Sequence, residues 1–147
     1  MAARVSKDVP LAEIILRKYE KPLKLKGREL IRKLCLSVGL LQPGDSRDII
    51  VDIFYVLLKG GELASEEIRD EVIKIRKNTN LPLRGIAASN IRRQLKRLKD
   101  LFLIEKISNK YRITEAEKLI HIFEEKIEKF YLRSIVDRVK DYFRMLE

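Results

Sequence analysis

Five cations fall within the segment SNIRRQLKRLKD, residues 89–100. Ile91, Leu95 and Leu98 recur there at helical spacing, which predicts an amphipathic helix attached to a core by one face. The segment contains no acidic residue before Asp100. Apolar residues on one face and several long hydrogen-bond donors on the other are what a helix needs to contact the phosphates and base edges of a nucleic-acid groove.

The position of each side chain along this helix suggests its contact. Asn90 and Arg93 lie in the N-terminal half, and their side chains suit bidentate contacts with adenine and guanine. The cations farther along are expected to meet phosphates, and two residues after the helix could reach the backbone or the minor groove. The predicted DNA contacts are Arg84, Ser89, Asn90, Arg92, Arg93, Lys96, Arg97, Lys99, Lys110 and Arg112.

The positive charge of the chain is concentrated around this segment. The formal net charge is +10, and residues 84–112 contribute +7 because they contain nine basic and two acidic residues. Residues 1–45 contribute +5, whereas 46–83 and 113–147 contribute −1 each. This distribution indicates an anionic partner. The alternative is a helix face that is only solvated, and it predicts acidic residues three or four positions from the cations.

The composition argues against an enzyme, a cofactor site and a membrane protein. Cys35 is the single cysteine, which fits a reducing cytoplasm and predicts a small buried hydrophobic residue. His121 is the single histidine, and no Cys/His set has the spacing of zinc ligands. Asp45, Asp48 and Asp52 are close in sequence, but Asp45 and Asp48 are typical of a helix start, and the three are not expected to form a metal site. No apolar run approaches the roughly 20 residues that cross a bilayer.

Two helices are predicted before a turn in the N-terminal part of the chain. Their apolar stripes comprise Leu11, Ile14, Ile15 and Tyr19 in the first helix and Leu30, Ile31, Leu34 and Val38 in the second. The sequence QPGDS, residues 42–46, predicts the turn, with Asp45 or Ser46 capping the next helix. We therefore assign residues 1–45 to a helical extension that packs on the core or in a dimer interface.

Residues 46–114 predict a compact unit of helices and short strands. An apolar helix from Ser46, stopped at Gly60, is followed by a short strand at Glu62–Leu63 and by a helix capped by Ser65. The residues expected to be buried in these two helices are Ile49, Ile50, Ile53, Val56, Leu57, Ile68, Val72 and Ile75. Two strands, Leu103–Ile107 and Lys110–Ile113, follow the basic helix and join at a Ser108–Asn109 turn, with Tyr111 and Ile113 facing inward.

This order of elements resembles a winged helix-turn-helix domain. The resemblance rests on GIAASNIRRQLKRLKDLFLIEKISNKYRIT, Gly85 to Thr114, which is similar to the recognition helix and wing of small archaeal and bacterial transcription regulators. It implies an α+β fold, mainly helical, with a β-hairpin wing. The sequence departs from the family pattern at the helix cap, where Ala87 replaces Ser or Thr, and after the helix, where Phe102 replaces Gly. The connection Asn78–Gly85 is also longer than in a tight helix-turn-helix.

The last part of the chain, residues 115–147, predicts a long helix without Gly or Pro, with Thr114 as its possible cap. A continuous helix would be too long for one small domain to cover, so part of its apolar face needs another surface. A break near Leu132–Ser134 would instead let it fold back. The predicted dimerisation residues are Ile127, Phe130, Tyr131, Ile135, Val136, Val139, Tyr142, Phe143 and Leu146.

These observations predict a homodimeric, double-stranded DNA-binding transcription regulator of the cytoplasm, with no cofactor and no membrane association. The alternative is a winged-helix module that binds protein or RNA within a larger complex. The composition lacks Trp and is rich in Lys, Glu, Arg and Ile, a bias reported for proteins of hyperthermophiles. The operator sequence, the direction of regulation and any small-molecule effector do not follow from the sequence.

Overall fold

The computed structural model of this protein describes residues 7–147 and has the predicted α+β class. The first six residues of the predicted N-terminal extension lie outside the described part. The α-helices are α1 (Gly27–Ser37), α2 (Ile49–Leu58), α3 (Ser65–Asn78), α4 (Ala88–Asp100), α5 (Leu119–Ile122) and α6 (Arg133–Met145). The strands are β1 (Leu63–Ala64), β2 (Ile104–Ile107) and β3 (Lys110–Ile113), and a 3-10 turn (Thr114–Ala116) and a π-helical segment (Phe123–Leu132) complete the chain.

A small antiparallel sheet follows the predicted hairpin, with strand order β1-β3-β2. In its register Leu63 lies opposite Tyr111, and Ile107 lies opposite Lys110. Ser108 and Asn109 both have positive φ angles, 48° and 65°, as a two-residue hairpin turn of the favoured hand requires. The predicted strands and turn are confirmed. Tyr111 is buried as expected, whereas Ile113 is only half-buried.

The core is centred on α2, as its continuous apolar sequence predicts. All five residues expected to be buried in α2 are buried, and Ile68 and Val72 of α3 and the apolar stripe of α4 pack in the same cluster. Ile75 is half-buried at the edge of this cluster. Burying large aliphatic side chains contributes about 1.5–3 kcal/mol each, so this cluster is the main source of stability.

The structure corrects three predicted helix starts. Ser65 is the first residue of α3 rather than its cap, and the backbone N–H of Ala64 donates to Glu67 Oε1 at 2.9 Å. The apolar helix α2 begins at Ile49 rather than Ser46, because Asp45 Oδ1 accepts the N–H of Arg47 at 2.9 Å in a local turn. At Thr114, the predicted cap of the C-terminal helix, no helix begins; the first helical residue there is Leu119.

The predicted N-terminal helix is wrong, because residues 10–26 have no regular secondary structure. This segment, the N-terminal strap, bonds to distant parts of the chain instead of to itself. The N–H of Arg17 donates to the carbonyl of Ser37 at 2.8 Å, and its guanidinium donates to the carbonyls of Leu36 and Leu41 at 2.7 and 3.2 Å. Ile14 of the predicted stripe is nevertheless half-buried against the core.

Helix α1 packs on the core largely with the predicted face, since Ile31 is buried and Leu34 and Val38 are half-buried against the core. Ile31, Cys35 and Leu36 are buried, whereas Leu30 is exposed. Cys35 is the buried residue that the sequence predicts, and burial raises the pKa of its thiol to about 12. The part of the N-terminal extension from α1 onward therefore belongs to the core of the chain.

The C-terminal helix begins later than predicted. Thr114 does not cap it, because its hydroxyl donates to the carbonyl of Phe102 at 2.7 Å, and Glu115 has a φ of 53°. From Leu119 to Met145 the chain is helical throughout, and the junctions at Phe123 and Arg133 keep helical φ and ψ angles. We call these 27 residues the C-terminal helix, which extends on the order of 40 Å without the break considered near Leu132. Within residues 7–147, no helix has both the length and the apolar character needed to span a bilayer.

Candidate nucleic-acid interface

Helix α4 presents the predicted basic surface. Ile91, Leu95 and Leu98 are buried in the core, which confirms the inner face, and the helix has no side-chain cap because Ala87 occupies that position. The opposite side is polar and open to solvent. The hydrophobic contacts thus determine which side chains of α4 point outward.

Several cations on and beside α4 lack an acidic partner in the part of the chain that the structure describes. Arg92, Arg93 and Lys99 of α4 are exposed and form no ion pair among these residues, and the same holds for Arg84 in the preceding loop. Ser89 is exposed in the first turn. These side chains are available to an anionic ligand without breaking an internal contact.

Lys96 and Arg97 differ from their neighbours because each has a partner. Lys96 pairs with Asp100 at 2.8 Å, but both side chains are exposed, so this pair contributes at most about 1 kcal/mol. Arg97 is half-buried: its Nη2 donates to the carbonyl of Leu40 at 2.8 Å and its Nη1 to Gln94 Oε1 at 2.8 Å. Its hydrogen bonds join α4 to the residues that follow α1.

The amide of Asn90 is also occupied within the chain. Its Nδ2 donates to the carbonyl of Gly85 at 2.7 Å, and its Oδ1 accepts from Gln94 Nε2 at 3.1 Å. To contact a base, this amide would have to break both internal hydrogen bonds and form new ones with the base. In this structure Asn90 instead fixes the loop that enters α4, while Arg93 remains the free candidate for a base contact.

The two predicted wing residues differ in availability. Lys110 is exposed at the hairpin turn and has no ion-pair partner among the described residues. Arg112 is half-buried and pairs with Glu62 at 3.1 Å and Glu105 at 3.5 Å. The pair with Glu62 joins the hairpin to the residue before β1, and the pair with Glu105 joins β3 to β2, so Arg112 connects parts of the sheet rather than pointing freely outward.

The structure adds one cation that the sequence did not single out. Arg47 is exposed in the loop between α1 and α2 and lines the same depression as Arg84 and Arg93. It belongs to residues 46–83, whose net charge is −1, so no local charge signal marks it. Only the fold brings it beside α4.

The predicted dimerisation residues fall into two groups. Ile127 is fully buried in its own chain, and the hydroxyl of Tyr131 accepts from the N–H of Glu13 at 3.2 Å and donates to its carbonyl at 3.1 Å. These two residues stabilise the single chain, so a partner could not use Ile127. Ile135 is half-buried. The exposed remainder comprises Phe130, Val136, Val139, Tyr142, Phe143 and Leu146.

The charged residues of the C-terminal helix are arranged differently from those of α4. Most of its cations pair with acids one turn away, for example Lys129 with Glu125 at 3.0 Å and Arg133 with Asp137 at 3.3 Å. The hydrogen bond and charge of Glu125 raise the pKa of Lys129. This is the pattern of a helix face that is only solvated.

The single histidine lies near one carboxylate on the surface of the chain. His121 is exposed and its Nδ1 lies 3.1 Å from Glu117 Oε1. The N–H of Lys118, and then His121, lower the pKa of Glu117. Between residues 7 and 147, no group of three or more His, Cys, Asp or Glu side chains is placed to hold a metal ion. Comparison with protein-family models, with curated proteins and with solved structures finds no match for this chain.

Proposed function

We propose that this protein is a homodimeric winged helix-turn-helix regulator of transcription that binds double-stranded DNA. In this proposal α4 enters the major groove and the β2–β3 hairpin lies on the backbone as a wing. The order α2, β1, α3, α4, β2 and β3 and the three-stranded sheet support this assignment. Nucleic-acid binding would take place in the cytoplasm and would need no cofactor.

One observation carries the proposal, namely the contrast between the two charged helices. Arg92, Arg93 and Lys99 on α4 have no acidic partner within residues 7–147, whereas cations such as Arg133 on the C-terminal helix are paired one turn away. Unpaired cations on one face repel one another, and an anion removes that repulsion. A row of phosphates is an anion of matching extent.

The C-terminal helix supports the homodimer in this proposal. None of the residues of α6 is buried, yet Val139 and Phe143 lie one turn apart on an exposed apolar stripe. Pairing two copies of this stripe would remove the stripe from water. A two-fold dimer would present two copies of α4 to major-groove faces about 34 Å apart.

A titration with duplex DNA at several salt concentrations tests DNA binding. We expect affinity to fall steeply between about 50 and 200 mM salt, because cations bound to the DNA are released when the protein neutralises phosphates. The double variant Arg92→Ala/Arg93→Ala should bind more weakly and reduce the slope of log affinity against log salt by about 2. The matched control, Lys21→Ala/Lys24→Ala, removes the same charge from exposed residues of the N-terminal strap.

Selection of bound sequences from random duplexes tests specificity and symmetry together. A palindromic consensus is the expected result for a dimeric regulator. Equal binding of the wild type and the Arg92→Ala/Arg93→Ala variant would contradict the groove assignment of α4. Preference for single-stranded RNA over duplex DNA, or no nucleic-acid binding at low salt, would favour the alternative of an interaction module.

A further inference from the structure

A polar cleft of about 690 Å³ lies between the N-terminal half of α4 and the loop that joins α1 to α2. We call it the arginine cleft. Its floor includes Leu41 and Ile49, and its polar lining includes Arg47, Arg84, Arg93, Arg97, Asn90 and Gln94. Its volume falls within the usual range for small-ligand sites, roughly 300–1,000 Å³.

The charge of the arginine cleft is strongly unbalanced. Four guanidinium groups face one carboxylate, that of Asp45, and no side-chain ion pair joins them in the described part of the chain. Asp45 instead accepts the backbone N–H of Arg47 at 2.9 Å. The guanidinium groups of Arg47, Arg84 and Arg93 are therefore free to bind an anion that enters from solvent.

Two internal contacts hold the cleft in shape. Arg97 is anchored to the carbonyl of Leu40 at 2.8 Å, which fixes α4 against the loop. At the mouth, Asn90 Nδ2 donates to the carbonyl of Gly85 at 2.7 Å, and Gly85 has a φ of 81°. This positive φ favours glycine, and a Cβ atom here would lie 2.9 Å from Asn90 Nδ2, so the amide would have to shift. The residue that follows Arg84 is thus hydrogen-bonded to α4.

The chemistry of the lining selects the ligand. Arginine presents N–H donors in a planar fork that matches two oxygens of a phosphate, and several forks around one cleft fit more than one phosphate group. We propose that the arginine cleft is a phosphate-binding site. The phosphates belong either to the backbone of a DNA strand beside α4 or to a free nucleoside polyphosphate. The DNA source rests on the proposed function, whereas the free nucleotide does not.

Binding measurements on the full chain test this proposal with two probes, a 20-bp duplex of random sequence and ATP without DNA. The variants are Arg47→Ala and Arg84→Ala, whose side chains make no contact that folding needs. Each should weaken binding of at least one probe by about tenfold, as expected when a hydrogen bond to a charged group is lost. Arg47→Lys keeps the charge but loses the fork, so it should recover only part of the affinity.

Two controls distinguish the possible sources of phosphate. Lys21→Ala removes an exposed cation outside the cleft, and Arg92→Ala removes one on the opposite flank of α4. If Arg47→Ala and Arg92→Ala both weaken duplex binding, the cleft takes DNA phosphates. If Arg47→Ala weakens ATP binding and Arg92→Ala does not, the cleft takes a free nucleotide.

The outcomes separate this proposal from the proposed function. If Arg92→Ala weakens duplex binding while Arg47→Ala and Arg84→Ala match Lys21→Ala with both probes, the cleft proposal is overturned and DNA binding stands. If the duplex does not bind but ATP binds and Arg47→Ala weakens it, the cleft stands and the DNA-binding proposal is overturned. Circular dichroism confirms that each variant folds before binding is compared.

Discussion

Arg76 of α3 and Asp52 of α2 form an ion pair in the interior of the chain, with 2.5 Å between Nη1 and Oδ2 and both side chains buried. Arg76 also pairs with Asp48 at 3.2 Å, and its Nε donates to the carbonyl of Pro82 at 2.6 Å. Arg28 of α1 bonds to Asp52 from the other side at 2.8 Å. This network joins α1, α2, α3 and the loop that leads to α4, so it helps to orient the basic helix.

Removing Arg76 should destabilise the fold strongly. Arg76→Ala leaves the charge of Asp52 buried beside one fewer partner, and breaking a buried pair in this way costs about 3–5 kcal/mol of the free energy of unfolding. Urea unfolding measures the change. The control is Arg133→Ala, which breaks an exposed pair and should cost less than about 1 kcal/mol. Equal losses in the two variants would show that the interior pair does not stabilise the fold in the way described.

Asp48 should make stability depend on pH in the acid range. Burial by itself would raise the pKa of Asp48, but hydrogen bonds and charges from Arg28 and then Arg76 lower it below its ordinary value. Because the folded pKa is lower than the unfolded value of about 3.9, the stabilisation is present above that value and is lost as pH falls through the folded pKa.

Urea unfolding of wild type and Asp48→Asn as a function of pH checks this expectation. The variant should be less stable at pH 7, and the difference should shrink as the pH falls below about 4 towards the folded pKa, because the unfolded state binds a proton before the native carboxylate does. Asp141→Asn, on an exposed part of the C-terminal helix, is the control and should show little such dependence. A wild-type advantage that stays constant down to about pH 2 would contradict the ion network as the cause.

Replacing Phe102 by glycine should destabilise the fold less than replacing it by alanine. Its φ is 68°, a left-handed conformation that favours glycine, yet its ring contacts the ring of Tyr131 edge-on with 5.6 Å between centroids. Both Phe102→Ala and Phe102→Gly lose the ring contact, but only alanine retains the backbone strain. We expect the glycine variant to be more stable than the alanine variant by about 1 kcal/mol in urea unfolding.

The matched pair for this comparison is Lys99→Gly and Lys99→Ala within α4. There the order should reverse, with alanine more stable by about 0.5–1 kcal/mol, because the backbone is helical. If alanine were the more stable variant at both positions, the backbone at Phe102 would not require a left-handed conformation.

Arg93 and Arg97 lie one turn apart on α4, but replacing them should have different effects. Loss of Arg93 should reduce DNA affinity, whereas loss of Arg97 should reduce stability. Arg97→Ala loses hydrogen bonds to Leu40 and Gln94 and should lower the free energy of unfolding by about 1–3 kcal/mol. Arg93→Ala should leave stability unchanged and weaken duplex binding. Thermal unfolding and fluorescence anisotropy measure the two effects. If Arg97→Ala kept its stability and only lost DNA affinity, its predicted phosphate contact would outweigh the internal one.

A charge on the exposed stripe of α6 should prevent self-association without unfolding the chain. Val139→Glu places a carboxylate at an apolar position that is 47% exposed in the described chain. We expect a dimer for the wild type and a monomer for this variant in sedimentation at micromolar concentration, with unchanged thermal unfolding of the monomer. Lys140→Glu, on the adjacent exposed position, is the control and should remain dimeric. A monomeric wild type would overturn the homodimer.

The sequence by itself predicted the elements whose signals are local. The apolar stripe of α4 follows from helical periodicity, and the continuous apolar run of α2 predicts its central place in the core. The Ser108–Asn109 turn also follows from sequence, because two polar residues between two strand patterns predict a two-residue hairpin turn. These patterns depend on neighbouring residues, so they can be identified without tertiary contacts.

Only the tertiary structure decided the features that depend on distant partners. The N-terminal strap is apolar at helical spacing, yet Arg17 bonds to the end of α1 because that contact is available only in the folded chain. Arg97 has the sequence context of its neighbours, but the carbonyl of Leu40 lies beside it and gives it a structural partner. Arg47 comes to lie beside Arg84 only when the loop before α2 packs near α4. Periodicity places a residue on a helix face, whereas the groups packed against that face determine whether its charge is free.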